Sequence, residues 1–303
     1  MDILSILAEK SINEIQEKIQ SVLESFSNEG IDIKERVYYI EPFYCLNYSV
    51  PAENIRDYPV NEFINIFKFC ASNVLYEYIR DCEEPGLIQH IIDTNYCCFD
   101  IRERIEIYKN CFDILRKNEA NKFLLKDDAF DPKSKILRRL TDYLKNNTEI
   151  NLDGFILFRL RDYLLGLDEI VENVAEDFLM DKEYSEFIKL LKYFVDIQES
   201  KFDVVHVVFD EETRFKIYDQ YNGLLNNDCI RNVAIELSGE DLNQDDLLIS
   251  ALINIAPNQI IVHRLSILKD VEVIRTLQKI FPGKIRFCKG CKWCSVQINT
   301  NKE

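Results

Sequence analysis

Glycine and proline are scarce in this sequence, at 8 and 7 of 303 residues. Loops that cradle phosphate need glycines at fixed offsets, and neither G-x-G-x-x-G nor G-x-x-x-x-G-K-[ST] occurs. The usual nucleotide-binding enzymes therefore find no support. Positive charge is also short: 37 Lys and Arg stand against 53 Asp and Glu, a formal net charge of -16. A polyanion meets overall repulsion from such a chain, so general nucleic-acid binding is disfavoured. No apolar run approaches the roughly 18 residues that a membrane-spanning helix requires. The first 20 residues, broken up by Glu and Lys, do not read as a signal peptide. The expected location is the cytoplasm. Histidine is rare too, with only His90, His206 and His263.

What is present is ample apolar material. A 47% hydrophobic content over 303 residues suffices for one large core or two ordinary ones. Ten cysteines without a secretion signal are expected to stay reduced, so a cysteine cluster is read as metal-binding, redox-active or core before disulfide.

Periodicity divides the chain into a helical front and middle and a mixed α/β back, an α+β fold. In residues 1–20, Ile3, Leu4, Leu7, Ile12, Ile15 and Ile19 predict an amphipathic helix. Residues 37–50 (VYYIEPFYCLNYSV) are β-branched and aromatic, with Pro42 as an interruption, and predict one or two short strands. Over 60–80, Phe63, Phe67, Cys70, Val74 and Tyr78 form one helical stripe. Asp100 and Glu103 form a capping box for a helix reaching Leu115, with Ile101, Ile105, Tyr108, Phe112 and Leu115 as its buried face. Between 116 and 161 the charge reverses, with 11 basic and 7 acidic residues, and Asp131-Pro132 opens a basic helix closed by Asn146-Asn147. Leu160, Leu164, Leu167, Val171, Val174 and Phe178 then share a face. Phe187, Leu190, Leu191 and Phe194 continue it as a second helix or one bent long helix.

Beyond residue 200 the period drops to 2. Val205, Val207 and Phe209, a turn at Asp210 to Thr213, and Phe215 with Ile217 predict a hairpin. A helix capped at Asp245 or Asp246 ends at Pro257, and a strand at 259–263 follows. A helix capped by Asp270 leads to a last strand at 284–288. Strand, helix and strand over about 30 residues is a βαβ unit with parallel strands. Three regions are expected: a helical region with short strands at 1–120, the basic and long amphipathic helices at 121–200, and a mixed-sheet α/β region with the cysteine cluster at 201–303.

The residues with most chemical potential lie near the end. Cys288-Lys-Gly-Cys291-Lys-Trp-Cys294 spaces three thiols as C-x2-C-x2-C, which lets the sulfurs converge on one metal ion or cluster. If the two last strands are parallel, His263 and Cys288 share the carboxyl rim of the sheet, and His263 becomes the fourth ligand. Cys3His suits zinc. An iron–sulfur cluster usually takes a fourth Cys, and Ser295-Val296 does not supply one. The bland account is three reduced thiols beside a sheet histidine. Cys97-Cys98, as strand neighbours, would point to opposite faces. His206 and His90 read as structural, and the acidic pairs Glu211-Glu212 and Asp245-Asp246 are explained by a turn and a helix start. Arg138, Arg139, Arg159 and Arg161 form a candidate surface for a phosphate or an acidic protein, against the plain account of a salt-bridged helix face. No nucleophile with a paired base emerges, so no catalytic residue is assigned.

Three segments, residues 151–163 (NLDGFILFRLRDY), 183–195 (EYSEFIKLLKYFV) and 246–257 (DLLISALINIAP), resemble the YtxC-like sporulation proteins of endospore-forming bacteria. The resemblance covers mainly residues 150–294, including Val204-Val205-His206 and the strand ending at His263, and is looser before 130. It implies a cytoplasmic protein of a Gram-positive endospore former, linked to sporulation, and it carries over no catalytic residue. The expected activity is non-enzymatic contact with an unknown protein partner through the four arginines. The alternative is a metalloprotein holding zinc or an iron–sulfur cluster at Cys288, Cys291, Cys294 and His263.

Overall fold

The computed structural model describes residues 1–10, 12–51, 59–120, 132–209, 215–225, 244–264 and 272–295. The turn at 210–213, the caps Asp131 and Asp270, and the pair Glu211-Glu212 lie outside the described residues. The chain divides into two compact units, Met1–Leu179 and Met180–Glu303.

The first unit is built on a four-stranded sheet of order β2-β3-β1-β4. Its strands are β1 (Asp2–Ala8), β2 (Lys34–Ile40), β3 (Phe43–Ser49) and β4 (Glu149–Asn151). β1 runs antiparallel to β3 and parallel to β4. The predicted N-terminal helix is therefore corrected: residues 2–8 form a strand, and helix α1 begins only at Asn13 and runs to Asn28. The physical reason is position. A central strand covered on both faces reads as a near-continuous apolar run rather than an alternating one, and Ile3, Leu4, Ile6 and Ala8 are all buried. Such a run cannot be told from a helix by period alone. The later part of the helical pattern holds, with Ile15 and Ile19 buried one turn apart on α1.

Around the sheet lie α2 (Val60–Tyr78), a π-helical turn (Ile79–Glu83), α3 (Glu84–Asn95), α4 (Ile101–Ala120), α5 (Pro132–Asn146) and α6 (Leu152–Arg159). The strands at 37–50 and the helix over 60–80 take the predicted form. On α4 the buried face differs from the predicted one: Ile101 and Ile105 are exposed, while Ile107, Cys111 and Leu115 are buried. The face is rotated by about one position, with Tyr108 and Phe112 of the predicted set packing against the core from its margin, and the exposed first turn is held by its cap. Asp100 Oδ1 accepts from the backbone N–H of Arg102 (2.7 Å) and Glu103 (3.0 Å), and Glu103 Oε2 accepts from Asp100 N–H (2.9 Å). This reciprocal pair is the capping box.

Two buried polar groups tie the helices together. Lys68 Nζ donates to the carbonyls of Leu144 (2.8 Å) and Asn147 (2.7 Å), satisfying the C-terminal end of α5, and burial lowers its pKa. Glu84, buried on α3, accepts a hydrogen bond from the Tyr163 hydroxyl.

Helix α7 (Arg161–Ile197) is continuous and runs through the division between the units. In the first unit it buries Tyr163, Leu167, Val171 and Val174, and Leu164 and Phe178 pack against that core. In the second unit Ile188 and Val195 are buried, whereas Phe187, Leu190 and Phe194 are exposed. The predicted face over 187–194 is thus rotated by about one position.

The second unit carries a sheet of order β6-β5-β7-β8. Its strands are β5 (Val204–Phe209), β6 (Phe215–Asp219), β7 (Gln259–His263) and β8 (Ile285–Phe287). β5 and β6 are antiparallel, and β5–β7 and β7–β8 are parallel. The predicted hairpin and βαβ unit are both present, with helices α8 (Gln244–Ile255) and α9 (Glu272–Ile280). Val205, Val207, Ile260 and Val262 meet Leu248, Leu252, Ile274 and Leu277 in one core. A last short helix, α10, spans Lys292–Ser295. The fold is α+β, with a second mixed sheet in the front half because β1 and β4 join the predicted strands.

Because Asp100 satisfies two amide groups at the start of α4, Asp100→Ala is expected to destabilise the first unit by about 1 kcal/mol. Urea denaturation followed by circular dichroism measures this as a lower midpoint.

Candidate metal centre

Register decides what stands at the end of the second sheet. In the parallel β5–β7 pair, His206 lies opposite Ile261 and Val208 opposite His263. His206 and His263 therefore share a face, the one turned away from Val205, Val207, Ile260 and Val262. Next to them β8 ends, and Cys288 N–H donates to Val262 O (2.9 Å), so the ladder carries Cys288 to the side of His263. The chain then turns at Gly290, whose φ of 137° lies where L side chains rarely go. That turn brings Cys291 and Cys294 back over the strand ends, and Cys294 N–H bonds Cys291 O (3.0 Å).

The structure places His263, Cys288, Cys291 and Cys294 in one cluster, with all four ligand atoms within 4.8 Å of one another. His263 Nδ1 stands 3.2 Å from Cys291 Sγ and 3.7 Å from Cys294 Sγ, and the two sulfurs are 3.8 Å apart. Tetrahedral zinc, with bonds of about 2.3 Å to sulfur and about 2.0 Å to nitrogen, requires separations of about 3.8 Å between sulfurs and about 3.5 Å from nitrogen to sulfur. The observed spacings fit an ion at the centre. A four-iron cluster binds each thiolate on a different iron and needs sulfurs farther apart than ligands sharing one ion.

The electrostatics favour neutral imidazole and an ionisable thiol. Burial pushes His263 down to about 4, helped by the neighbouring His206, so the ring is neutral and its nitrogen lone pair available. Burial also lowers His206, opposed by Asp219. At Cys291, burial resists ionisation, but the backbone N–H groups of Cys294 and Trp293 and the Cys288 thiol outweigh it, leaving the thiol more acidic than usual. Gly290 N–H supports Cys288 Sγ at 3.4 Å.

Further side chains brace the four-residue cluster, and here the sequence alone falls short. His206 Nδ1 lies 3.0 Å from His263 Nε2, so the nitrogen of His263 that faces away from the sulfurs is fixed by His206. Trp293 stacks on Tyr218 (5.3 Å, 22° between rings) and meets His206 and His263 edge-on at 4.7 and 5.0 Å. The alternation in 204–209 gives the face of His206, but only the pairing of β5 with β7 reveals its neighbour. Among the other candidates, His90 is exposed on α3, and Cys97 and Cys98 are exposed in the turn that follows it.

In the first unit, Arg138, Arg139 and Arg159 line a surface depression of about 410 Å³ together with Lys135, Asp142 and Asp162. Arg161, exposed at the first position of α7, is not among its lining residues. Arg139 pairs with Asp162 at 3.0 Å, Arg138 approaches Asp142 at 4.0 Å, and Arg159 lies over the Tyr143 ring. These exposed pairs dilute the positive field.

The family model that matches this chain is that of the YtxC-like family, over residues 69–286. A relative from Bacillus subtilis (strain 168), the uncharacterized protein YtxC, is 23% identical over 217 residues, covering 70% of this chain and 74% of that protein. No solved structure matches. The family match includes His206 and His263 and stops just short of Cys288.

Trp293 is the single tryptophan, so its emission reports on these bracing side chains. Tyr218→Ala and His206→Ala are each expected to shift that emission to longer wavelength as the indole gains water. Unchanged spectra for both would mean that the ring is not seated here in solution.

Proposed function

The chain belongs to the YtxC-like family, and from the geometry of its C-terminal cluster we propose that it is a metalloprotein holding one zinc ion through Cys288, Cys291, Cys294 and His263. The observation that carries this reading is the convergence of four zinc-type donors within 4.8 Å. Four protein ligands complete a tetrahedron and leave no position for substrate, which is the pattern of a structural rather than a catalytic zinc. The ion would supply Lewis-acid bonding that holds the three thiolates and the imidazole together. The protein residues do the rest: His206 orients His263, Gly290 forms the turn, and Trp293 covers the rings. In the segment 288–295 Trp293 is the one large apolar side chain, and the ion would add to its contacts in pinning the segment to the sheet. Zinc fits better than an iron–sulfur cluster because the sulfurs are spaced for one ion.

A second reading concerns partners. Three arginines and Lys135 around one depression support an exposed surface for an acidic protein, and Arg161 is exposed at the start of α7. In this reading the protein works in the cytoplasm of an endospore former, during sporulation, through contacts and not through a reaction.

Elemental analysis of the purified chain is expected to find one zinc per molecule without the visible absorption of an iron–sulfur cluster. Cys291→Ser should weaken zinc binding by roughly tenfold or more, and excess chelator should lower the thermal midpoint of the second unit. A chain that is metal-free and does not compete with a chromophoric chelator for zinc would overturn the metal reading. For the partner reading, a fluorescent polyglutamate peptide should bind in a salt-sensitive manner. Changing Arg138, Arg139, Arg159 and Arg161 to Glu should abolish that binding.

A further inference from the structure

The first unit ends in an unguarded strand. β2 is the edge of the order β2-β3-β1-β4, and among the described residues no backbone group pairs with its outer side. The ladder tells which groups point outward. Met1 and Val50 exchange both of their hydrogen bonds, each 2.9 Å, so Val50 faces β1. By the alternation of antiparallel pairing, Phe43, Cys45, Asn47 and Ser49 face β2, and their partners Ile40, Tyr38, Arg36 and Lys34 face back. The N–H and C=O groups of Glu35, Val37 and Tyr39 are therefore directed away from the sheet.

The side chains there are apolar and exposed: Val37 51%, Tyr38 42%, Tyr39 56% and Ile40 56%. Soluble proteins protect such edges with lysine, proline, bulges or a covering element. Between Val37 and Ile40 the sequence has no charge and no proline, and the β2–β3 pairing has no register shift. An edge of this kind is a template for another strand.

We infer that the strand it receives is β2 of a second copy, joined antiparallel about a two-fold axis at Val37. Charge argues for self-pairing. The chain carries -16, but within β2–β3 Lys34 and Arg36 balance Glu35 and Glu41, so two copies meet here without local repulsion. Charges elsewhere are screened beyond about 8 Å at physiological salt. Register argues the same way. A two-fold axis perpendicular to the sheet must pass midway between a residue and its own twin, and that residue is said to lie at the axis. With Val37 on the axis, Val37 meets its twin, Glu35 meets Tyr39 and Arg36 meets Tyr38 of the second copy, which sets a guanidinium against an aromatic ring on each side. With Tyr38 on the axis, Glu35 would oppose Glu41, and with Tyr39 on the axis, apolar Val37 would oppose Glu41. The Val37 register alone opposes no like charges and pairs all three outward-facing residues. Closed two-fold pairing consumes both edges and stops there. This surface belongs to the first unit and does not depend on the metal reading.

Light scattering coupled to size-exclusion chromatography, on the full chain across micromolar to submillimolar concentration, is expected to give twice the chain mass at the upper end. Val37→Pro removes an outward N–H that makes no bond among the described residues, so it should weaken association at least tenfold with unchanged circular dichroism. Val37→Lys places a charge on the axis and should do the same without touching the backbone. Hydrogen exchange should slow with concentration at the Val37 and Tyr39 amides and not at Tyr38. A wild-type chain that stays monomeric throughout, or both variants retaining the wild-type mass, would refute the pairing. So would a dimer cross-linked only at other surfaces.

Discussion

The candidate site rests on one constraint, the parallel pairing of β7 with its two neighbours. Parallel strands bring their carboxyl ends to one rim, and this rim receives His263 from β7 and the exit of β8 at Cys288. The hydrogen bond from Cys288 N–H to Val262 O fixes how far along the rim the first thiol sits. Had β8 paired antiparallel, its last residue would lie at the opposite end of β7, a strand length from the imidazole. The remaining geometry follows from that contact: one positive-φ glycine, one short helix and an indole laid across the sheet.

The two units solve the problem of buried polar groups in different ways. In the first, Lys68 caps carbonyls at the end of α5, and Glu84 and Tyr163 satisfy one another between helices. Each group is buried with a partner in place, as the cost of an unmet donor or acceptor requires. In the second unit the buried polar group among the described residues is His263, and its two nitrogens are divided between His206 and the sulfurs. A neutral imidazole so placed presents one nitrogen to the thiols while the other is held, the arrangement that orients a histidine ligand. Zinc coordination would complete a polar network that already has its outer half.

Several features were legible in the sequence because they are local. The capping box at Asp100 and Glu103, the hairpin alternation at 204–217 and the stripe from Leu160 to Val174 each depend on neighbours within a few positions. Others were not. The run at residues 2–8 is compatible with a helix or a doubly covered strand, and only its place between β3 and β4 decides. The three residues of β4 are too few to show a period at all. On α7 the apolar content over 187–197 is plain, but Ile188 and Val195 join the core and Phe187 and Phe194 do not, a choice made by the core that the second sheet shares with α8 and α9.

The sequence by itself determined the donor types and their C-x2-C-x2-C spacing, the helical and strand periods and the acidic balance. Tertiary structure decided that His263 and the thiols meet, that His206 braces the imidazole, that Trp293 closes over both rings, and that β2 is left at an edge. The physical reason is reach. Spacing along a chain fixes what residues a few positions apart can share, whereas strand order and register set the distances between residues far apart in sequence, such as His206, His263 and Trp293.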